Sequence, residues 1–396
     1  MWLTLARLPP VPPVAFCRFL PHVQPLPLHS VFVSDADLMI PMNPKTLFLT
    51  IATSLTLSGC AVATRDAATI AAEREAALAV AQLMPDPSRY SSQTFEWRDE
   101  KRNRLVPVRL YLPVATANDR FANMPLVVFS HGIGGSREGY KYLGRSFAAN
   151  GYASLHLQHV GSDRQIWTGS PFSLLSRLSG AAQDSEAIDR VQDLSFALDQ
   201  ILASPVGARV DRSRIVAAGH SYGANTSMLA AGAIVERDGR RIALRDPRIG
   251  AAILLSAPPF YGAGDPKSIL GDVDIPTLHI TAMEDDIAIP GYRSGVADRL
   301  DVYRAMGNAK SKATRAGKTL AVFSGGSHSI FTDRLGTGGI ALNPKVKAAT
   351  RDLTLAFLQS LGMPDTGKRG RDGAMADWHL QYAPLLASFE QIGVGN

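Results

Sequence analysis

Short apolar runs alternate with amphipathic stretches along most of this chain of 396 residues. Two runs, at 94–97 and 105–112, predict an antiparallel opening pair of strands. Further apolar runs begin near residues 125, 153, 215, 250, 277 and 319. Their length and lack of polar alternation are typical of parallel strands that are buried on both faces. The pattern therefore predicts an α/β fold, in which a mostly parallel sheet is covered by helices on both faces within a single domain.

The segments between the predicted strands carry the apolar period of helices. The clearest helix is expected to begin near Asp184 or Ser185. Its apolar stripe consists of Ile188, Val191, Leu194, Leu198, Ile201 and Leu202. A second helix is predicted at 346–361, and residues 362–373 form a polar linker. We expect an appended helical segment at 376–389, broken near Pro384.

Gly219-His220-Ser221-Tyr222-Gly223 follows the apolar run 215–218 and precedes a helix-compatible segment at 224–234. A G-x-S-x-G nucleophile elbow requires this order of strand, turn and helix. The two glycines remove the Cβ atoms that would clash in so sharp a turn. The five-residue pattern also occurs by chance, so its weight depends on the residues that accompany it.

Two later segments supply partners for Ser221. The run 277–282 ends at Met283-Glu284-Asp285-Asp286, and the run 320–323 leads into Ser324-Gly325-Gly326-Ser327-His328. A carboxylate and an imidazole thus each follow a strand end. The order serine, acid, histidine is that of α/β-hydrolases. Ser221 is predicted to be the nucleophile and His328 its general base, while Glu284, Asp285 and Asp286 are adjacent candidates for the acid that orients the imidazole.

A glycine-rich loop follows the run 125–129 as Ser130-His131-Gly132-Ile133-Gly134-Gly135-Ser136. Such a loop can direct a backbone N–H at developing negative charge. The N–H groups of Ile133 and Tyr222 are therefore predicted to form the oxyanion hole. Each donor of this kind contributes about 3 kcal/mol to transition-state stabilisation.

The segments VVFSHGIGGSREGY, GHSYG, TLHITAMEDD and GGSHSIF resemble the platelet-activating-factor acetylhydrolase and dienelactone-hydrolase-like branch of α/β-hydrolases, which is similar to the bacterial cutinase and polyester-hydrolase group. The resemblance spans 92–361. It implies an α/β-hydrolase fold, ester hydrolysis, Ile133 as the first oxyanion donor and Asp285 as the acid. A dienelactone hydrolase would carry a cysteine where this chain has Ser221, so only the fold is implied by that name.

These residues predict a serine hydrolase that cleaves carboxylic esters through an acyl-enzyme, as a carboxylesterase or lipase-like enzyme does. A peptidase or amidase would use the same triad on the same fold, and a lipoprotein that keeps the fold as a binding scaffold is the non-catalytic alternative. No organic cofactor is expected, and no spacing of His, Cys and Asp resembles a metal site.

Other residues have structural explanations. Among the histidines, His131 is predicted to be structural in the oxyanion loop and His220 to pack within the elbow. Residues 161–182 form a long segment that is predicted to be a partial lid. Its side chains Trp167, Phe172 and Leu174 would contact an acyl or alcohol group, or would instead pack on the core.

The amino end resembles a bacterial lipoprotein signal peptide at 42–59. A short charged region begins at Met42, an apolar region follows at 46–57, and Leu57-Ser58-Gly59-Cys60 matches a lipobox. The apolar region is too short to cross a membrane as a helix. Residues 1–41 are predicted to precede the true start, at Met42 or Met39, or to be disordered. We expect a tether with a short helix at 60–87 and the hydrolase domain at 88–396.

This resemblance implies that Cys60 is diacylated. The chain contains two cysteines, Cys17 and Cys60, so the mature protein would have no disulfide. Because Ala61 follows Cys60, the expected location is the outer membrane of the bacterial envelope. The net charge of +6 is mild and clusters only at Lys368-Arg369-Gly370-Arg371, so no nucleic acid partner is expected. The sequence leaves the oligomeric state open.

Overall fold

The computed structural model describes residues 67–114, 123–260, 262, 264–289, 292–309, 317–334, 336–362 and 373–393. The signal peptide, Cys60 and the basic cluster at 368–371 lie outside the described residues. Residues Arg65–Asn396 form one compact unit. Within the part of the chain that is described, no helix is both long enough and apolar enough to cross a membrane.

Nine strands of the described chain form one large sheet. They are β1 (Tyr90–Asp99), β2 (Arg104–Pro113), β3 (Met124–Ser130), β4 (Ala153–Leu157), β5 (Val210–His220), β8 (Ile249–Leu255), β9 (Thr277–Glu284), β12 (Lys318–Ser327) and β13 (Leu386–Ile392). Two small hairpins lie outside this sheet: β6 (Ile234–Arg237) with β7 (Arg240–Ala243), and β10 (Ile287–Ile289) with β11 (Tyr292–Ser294).

The strand order of the large sheet is β1-β2-β4-β3-β5-β8-β9-β12-β13. The five pairings from β4 to β12 are parallel, and β1, β2 and β13 join in antiparallel fashion. Because parallel strands share a direction, the segments that follow β3, β5, β9 and β12 meet at one edge of the sheet. The predicted α/β-hydrolase fold, with its mostly parallel sheet, is confirmed.

Nine α-helices accompany the described strands. They are α1 (Ala67–Gln82), α2 (Lys141–Ala149), α3 (Leu174–Ala181), α4 (Asp184–Ala203), α5 (Tyr222–Ala231), α6 (Pro266–Leu270), α7 (Val296–Ala305), α8 (Leu342–Ser360) and α9 (Gly373–Tyr382). The two principal apolar cores contain alternate residues of the central strands, Leu126 and Val128 in one and Val127 and Phe129 in the other. This alternation shows that helices cover both faces of the sheet.

The segment predicted to be helical at 376–389 is only partly so. Helix α9 ends at Tyr382, and Leu386–Ile392 forms strand β13, which pairs with the edge strand β12. The prediction was therefore wrong for the end of this segment. The open edge of β12 offers backbone hydrogen bonds that a local apolar period does not reveal.

Candidate active site

Ser221 lies in a sharp turn between strand β5 and helix α5. Its backbone angles are φ 55° and ψ −122°, a conformation that residues other than glycine rarely adopt. A Cβ atom at Gly219 would lie 2.1 Å from the carbonyl oxygen of Gly223, and one at Gly223 would lie 1.9 Å from that of Ser130. Only glycine fits at these two positions, so the G-x-S-x-G spacing is a steric requirement of the turn.

The structure brings Ser221, His328 and Asp285 together. Ser221 Oγ donates to His328 Nε2 across 2.8 Å, and the Nδ1–H of His328 donates to Asp285 Oδ1 across 2.7 Å. Ser221 and Asp285 are buried, whereas the imidazole of His328 is partly exposed. A serine beside an imidazole that a carboxylate orients is the arrangement that generates a nucleophilic oxygen.

Asp285 is the only one of the three candidate carboxylates that hydrogen-bonds to His328 in the described structure; Glu284 and Asp286 are exposed. Thr281 Oγ1 donates to Asp285 Oδ2 across 2.7 Å, and Arg299 Nη2 approaches Oδ1 at 3.4 Å. Burial alone would raise the pKa of Asp285, but the hydrogen bond and charge of His328, together with Arg299, outweigh burial and lower it. The carboxylate therefore stays ionised beside the imidazole.

His220 supports the backbone of His328. The Nε2–H of His220 donates to the His328 carbonyl oxygen across 2.9 Å, and Tyr140 Oη donates to His220 Nδ1 across 2.8 Å. Burial, together with the neighbouring His328, lowers the pKa of His220 to about 3, so this ring is neutral at ordinary pH. The predicted packing of His220 within the elbow thus includes a direct contact to the loop that carries His328.

The oxyanion loop, residues 131–136, lies directly beside the nucleophile. A Cβ atom at Gly132 would lie 3.3 Å from Ser221 Cβ. Within the described residues the backbone N–H groups of Ile133 and Tyr222 have no hydrogen-bond acceptor, while the next amide, that of Gly134, donates to the carbonyl oxygen of Ser162 across 2.8 Å. Two free N–H groups beside Ser221 can receive a developing oxyanion.

His131 fixes the start of this loop. Its Nδ1–H donates to the Gly132 carbonyl oxygen across 2.7 Å, and its Nε2 accepts from the backbone N–H of His159 across 3.1 Å. Burial lowers the pKa of both histidines well below the usual range. Both rings are therefore neutral hydrogen-bonding groups, which agrees with the structural explanation given from the sequence.

The segment 161–182 contains short helical turns and helix α3 rather than an open loop. Trp167 lies over Gly134, and its indole N–H donates to the Gly134 carbonyl oxygen across 2.9 Å. Trp167 is 51% exposed and Phe172 is 98% exposed, so neither side chain belongs to the core. Leu174 is partly exposed as well. The segment thus presents apolar surface next to the oxyanion loop.

Sequence reasoning missed a buried group of charged side chains on helix α4. Glu186, Arg190 and Asp193 are buried at spacings of four and three residues along this helix. Asp193 accepts from Arg102, Arg104 and His159. A signal was present: Arg190 lies four residues before Leu194 and is therefore in line with the apolar stripe. A charge at such a position must be paired or hydrogen-bonded.

The strand order and the nucleophile elbow together define an α/β-hydrolase. Comparison with protein families supports this class: the model of "Platelet-activating factor acetylhydrolase, isoform II" matches residues 99–168. The matched part includes the oxyanion loop and Trp167 but not Ser221, Asp285 or His328. The match confirms the resemblance to this esterase-like branch and supports ester hydrolysis as the general activity.

Among solved structures, the chain is similar to the ferulic acid esterase from Streptomyces cinnamoneus. The two share 19% sequence identity with a TM-score of 0.49, and the alignment covers 74% of this chain and 96% of the esterase. Comparison with curated protein sequences gave no match. In the described part of the chain, no group of three or more His, Cys, Asp or Glu residues is placed to hold a metal ion.

Proposed function

We propose that this protein is a serine carboxylesterase or lipase-like enzyme that works through an acyl-enzyme. The observation that carries the proposal is the continuous path of hydrogen bonds from Ser221 Oγ through His328 to Asp285, with distances of 2.8 and 2.7 Å. The strained turn at Ser221 and the free N–H groups of Ile133 and Tyr222 complete the set of groups that acyl transfer requires.

The chemistry follows from these positions. Ser221 Oγ attacks the ester carbonyl carbon while His328 Nε2 takes the hydroxyl proton, and the carbonyl oxygen becomes an oxyanion held by the N–H groups of Ile133 and Tyr222. The imidazolium then protonates the leaving alcohol as the carbon–oxygen bond breaks. Water repeats the sequence on the acyl-enzyme and releases the acid. Asp285 remains ionised throughout and stabilises the imidazolium.

The substrate class is proposed from the surface around the site. Trp167 offers exposed apolar area beside the oxyanion loop, and Phe172 and Leu175 are exposed in the same segment, 161–182. Glu284 and Asp286 lie next to Asp285, but their exposure makes them a poor match for a buried amine. An apolar acyl or alcohol group is therefore favoured over the charged amine that would direct an amidase or peptidase.

Turnover of matched ester and amide substrates tests this proposal. The purified protein is assayed with p-nitrophenyl esters of increasing acyl length and with the corresponding p-nitroanilides. We expect ester hydrolysis with an initial burst of p-nitrophenol, little anilide hydrolysis, and loss of both burst and turnover in Ser221→Ala. Faster hydrolysis of anilides than of esters would favour an amidase. Ester turnover in Ser221→Ala that equals the wild-type turnover would contradict Ser221 as the nucleophile.

We also propose that a lipid on Cys60 anchors the enzyme to the bacterial outer membrane. The support is the lipobox Leu57-Ser58-Gly59-Cys60 after a short apolar region, with Ala61 at the following position. In cell fractionation the protein should sediment with outer membranes, and Cys60→Ser should move it to the soluble or inner-membrane fraction. Unchanged outer-membrane sedimentation of Cys60→Ser, with no lipid mass on the wild-type Cys60 peptide, would contradict the anchor.

A further inference from the structure

Arg190 lies under the active site without taking part in the triad. Its side chain is fully buried, at 0% exposure, and within the described chain no carboxylate lies at ion-pair distance from its guanidinium. The nearest link to a carboxylate runs through Ser162, whose hydroxyl donates to Glu186 Oε1 across 2.7 Å. Burying a guanidinium without a direct ion pair is unfavourable unless each of its nitrogens finds an acceptor.

Three acceptors are present, and two of them belong to the elements that flank Ser221. Arg190 Nη2 donates to the carbonyl oxygen of His131, in the oxyanion loop, and Nε donates to Thr226 Oγ1, in helix α5, across 2.9 Å. Nη1 donates to Ser162 Oγ across 2.7 Å. The guanidinium carbon also lies 4.5 Å from the centre of the Tyr222 ring. One planar group thus joins the loop, the nucleophile helix and the segment after β4.

These contacts lie close to both oxyanion donors along the chain. His131 is two residues before Ile133, and Thr226 is one helical turn after Tyr222. Ser162, the third partner, accepts from the Gly134 N–H through its backbone oxygen. Displacement of Arg190 would therefore allow the N–H groups of Ile133 and Tyr222 to move relative to each other.

We propose that Arg190 is a positioning residue for acyl transfer, which holds the oxyanion loop against the nucleophile helix so that the two N–H donors converge on one oxygen. This inference rests on the proposed function. The guanidinium acts through its fixed fork of donors, because a lysine ammonium at this position has neither the planar geometry nor the reach to serve three separated acceptors. Its charge persists at neutral pH, since burial lowers the pKa of Arg190 only to about 10.

The variants Arg190→Lys and Arg190→Met test the fork, and Arg248→Met is the matched control. Arg248 lies outside helix α4 and bonds to it through Asp199 and the Ser195 carbonyl oxygen. Its guanidinium also bonds to Asp246, but its contacts do not include the oxyanion loop or helix α5. With p-nitrophenyl butyrate, both Arg190 variants should lose between about 10- and 100-fold in kcat. Their KM should stay within about twofold of the wild-type value, because ground-state binding is not affected. Arg248→Met should keep kcat.

Wild-type kcat in both Arg190 variants, or an equal loss of kcat in Arg248→Met, would overturn the proposal. If the Arg190 variants do not fold, Thr226→Val and Ser162→Ala each remove one acceptor and leave the guanidinium in place. In each of these variants kcat should fall by a larger factor than the factor by which KM changes. Wild-type kcat in both variants would also overturn the proposal.

Hydrogen exchange separates this inference from the proposed function. In Arg190→Lys the amides of residues 131–136, with Gly134 foremost, should exchange faster than in the wild type, and in Arg248→Met they should not. If the wild-type protein hydrolyses no ester, the proposed function fails, but exchange still reports whether Arg190 holds the loop. Unchanged exchange at 131–136 in Arg190→Lys would contradict the positioning role whatever the activity.

Discussion

Ser221 illustrates how much a single residue costs the fold and what it provides. A non-glycine residue at φ 55° and ψ −122° is strained by roughly 1–3 kcal/mol, which the surrounding sheet and helix must offset. In exchange, the turn places Oγ 2.8 Å from His328 Nε2 and leaves the Tyr222 N–H at the first turn of helix α5 free. The strain therefore lies at the position where the chemistry is proposed to occur.

Asp285→Asn tests the role of the acid. An amide at this position would accept poorly from His328 Nδ1–H and would favour the wrong imidazole tautomer, so kcat for ester hydrolysis should fall by about four orders of magnitude. The fold should be kept because the amide has nearly the same volume. The measurement is kcat at neutral pH together with a thermal unfolding curve.

The chain offers matched controls for this variant at the adjacent positions. Glu284→Gln and Asp286→Asn remove exposed carboxylates that do not hydrogen-bond to His328, so each should keep kcat within about twofold of wild type. If kcat fell by several orders of magnitude in either control while Asp285→Asn kept wild-type kcat, Asp285 would not be the acid of the triad.

At the scale of one residue, the sequence predicted the positions with a steric or chemical signature. Gly219 and Gly223 are required by the turn itself, Ser221 stands at the nucleophile position of the motif, and His328 follows a strand in the expected order. The role of Arg190 was not predicted, because its three acceptors come from segments that are distant along the chain. Which of these segments face helix α4 depends on the packing of the whole sheet.

Among the elements, the loop after β12 carries His328 and is fastened to neighbouring helices. Tyr142 Oη of α2 donates to the Phe331 carbonyl oxygen across 3.0 Å, and Lys347 Nζ of α8 donates to that of Arg334 across 2.9 Å. Lys347 is fully buried, and burial lowers its pKa to about 8 although nearby Asp333 opposes the shift. An ammonium held in this way makes stability depend on pH.

The sign of that dependence follows from proton binding. The ordinary lysine pKa of 10.5 is lowered in the fold, so between about pH 8 and 10.5 the unfolded chain binds more protons at Lys347 than the folded protein does. The free energy of unfolding of wild type, relative to Lys347→Met, should therefore rise across this window, by about 1–3 kcal/mol. Urea unfolding of both proteins from pH 7 to 10.5 measures the difference.

Lys345→Met, on the same helix but at an exposed position, is the control. The free energy of unfolding of wild type relative to Lys345→Met should be nearly independent of pH. A difference between wild type and Lys347→Met that stays flat, or falls, from pH 8 to 10.5 would show that the fold does not lower the pKa of Lys347.

The carboxyl-terminal elements show where local patterns fail. Helix α9 was predicted within the segment 376–389, and Trp378 packs in the core with its indole N–H donating to the Ala349 carbonyl oxygen across 2.8 Å. The residues after Pro384 were predicted to be helical but form strand β13. Its partner, β12, lies more than 50 residues earlier in the chain, and pairing at this distance overrides local propensity.

For the whole molecule, the alternation of apolar runs and amphipathic stretches was sufficient to predict the mostly parallel sheet. The same alternation explains why the proposed site residues converge, since Ile133, Ser221, Asp285 and His328 each follow a strand whose carboxyl end faces one edge of that sheet. Periodicity alone carried no information on the ion pairs that join β2 to helix α4 through Arg104 and Asp193. Such contacts depend on the three-dimensional packing of the fold.

The most direct test of the central claim is labelling of the purified protein with a fluorophosphonate probe, followed by mass spectrometry of the modified peptide. Phosphonylation requires a serine that is activated by its base and an oxyanion hole that accepts the charged oxygen. We predict one adduct, on Ser221, that is lost in Ser221→Ala and is strongly slowed in Asp285→Asn. A folded wild-type protein that gives no adduct, or an adduct on another serine that persists in Ser221→Ala, would contradict the account.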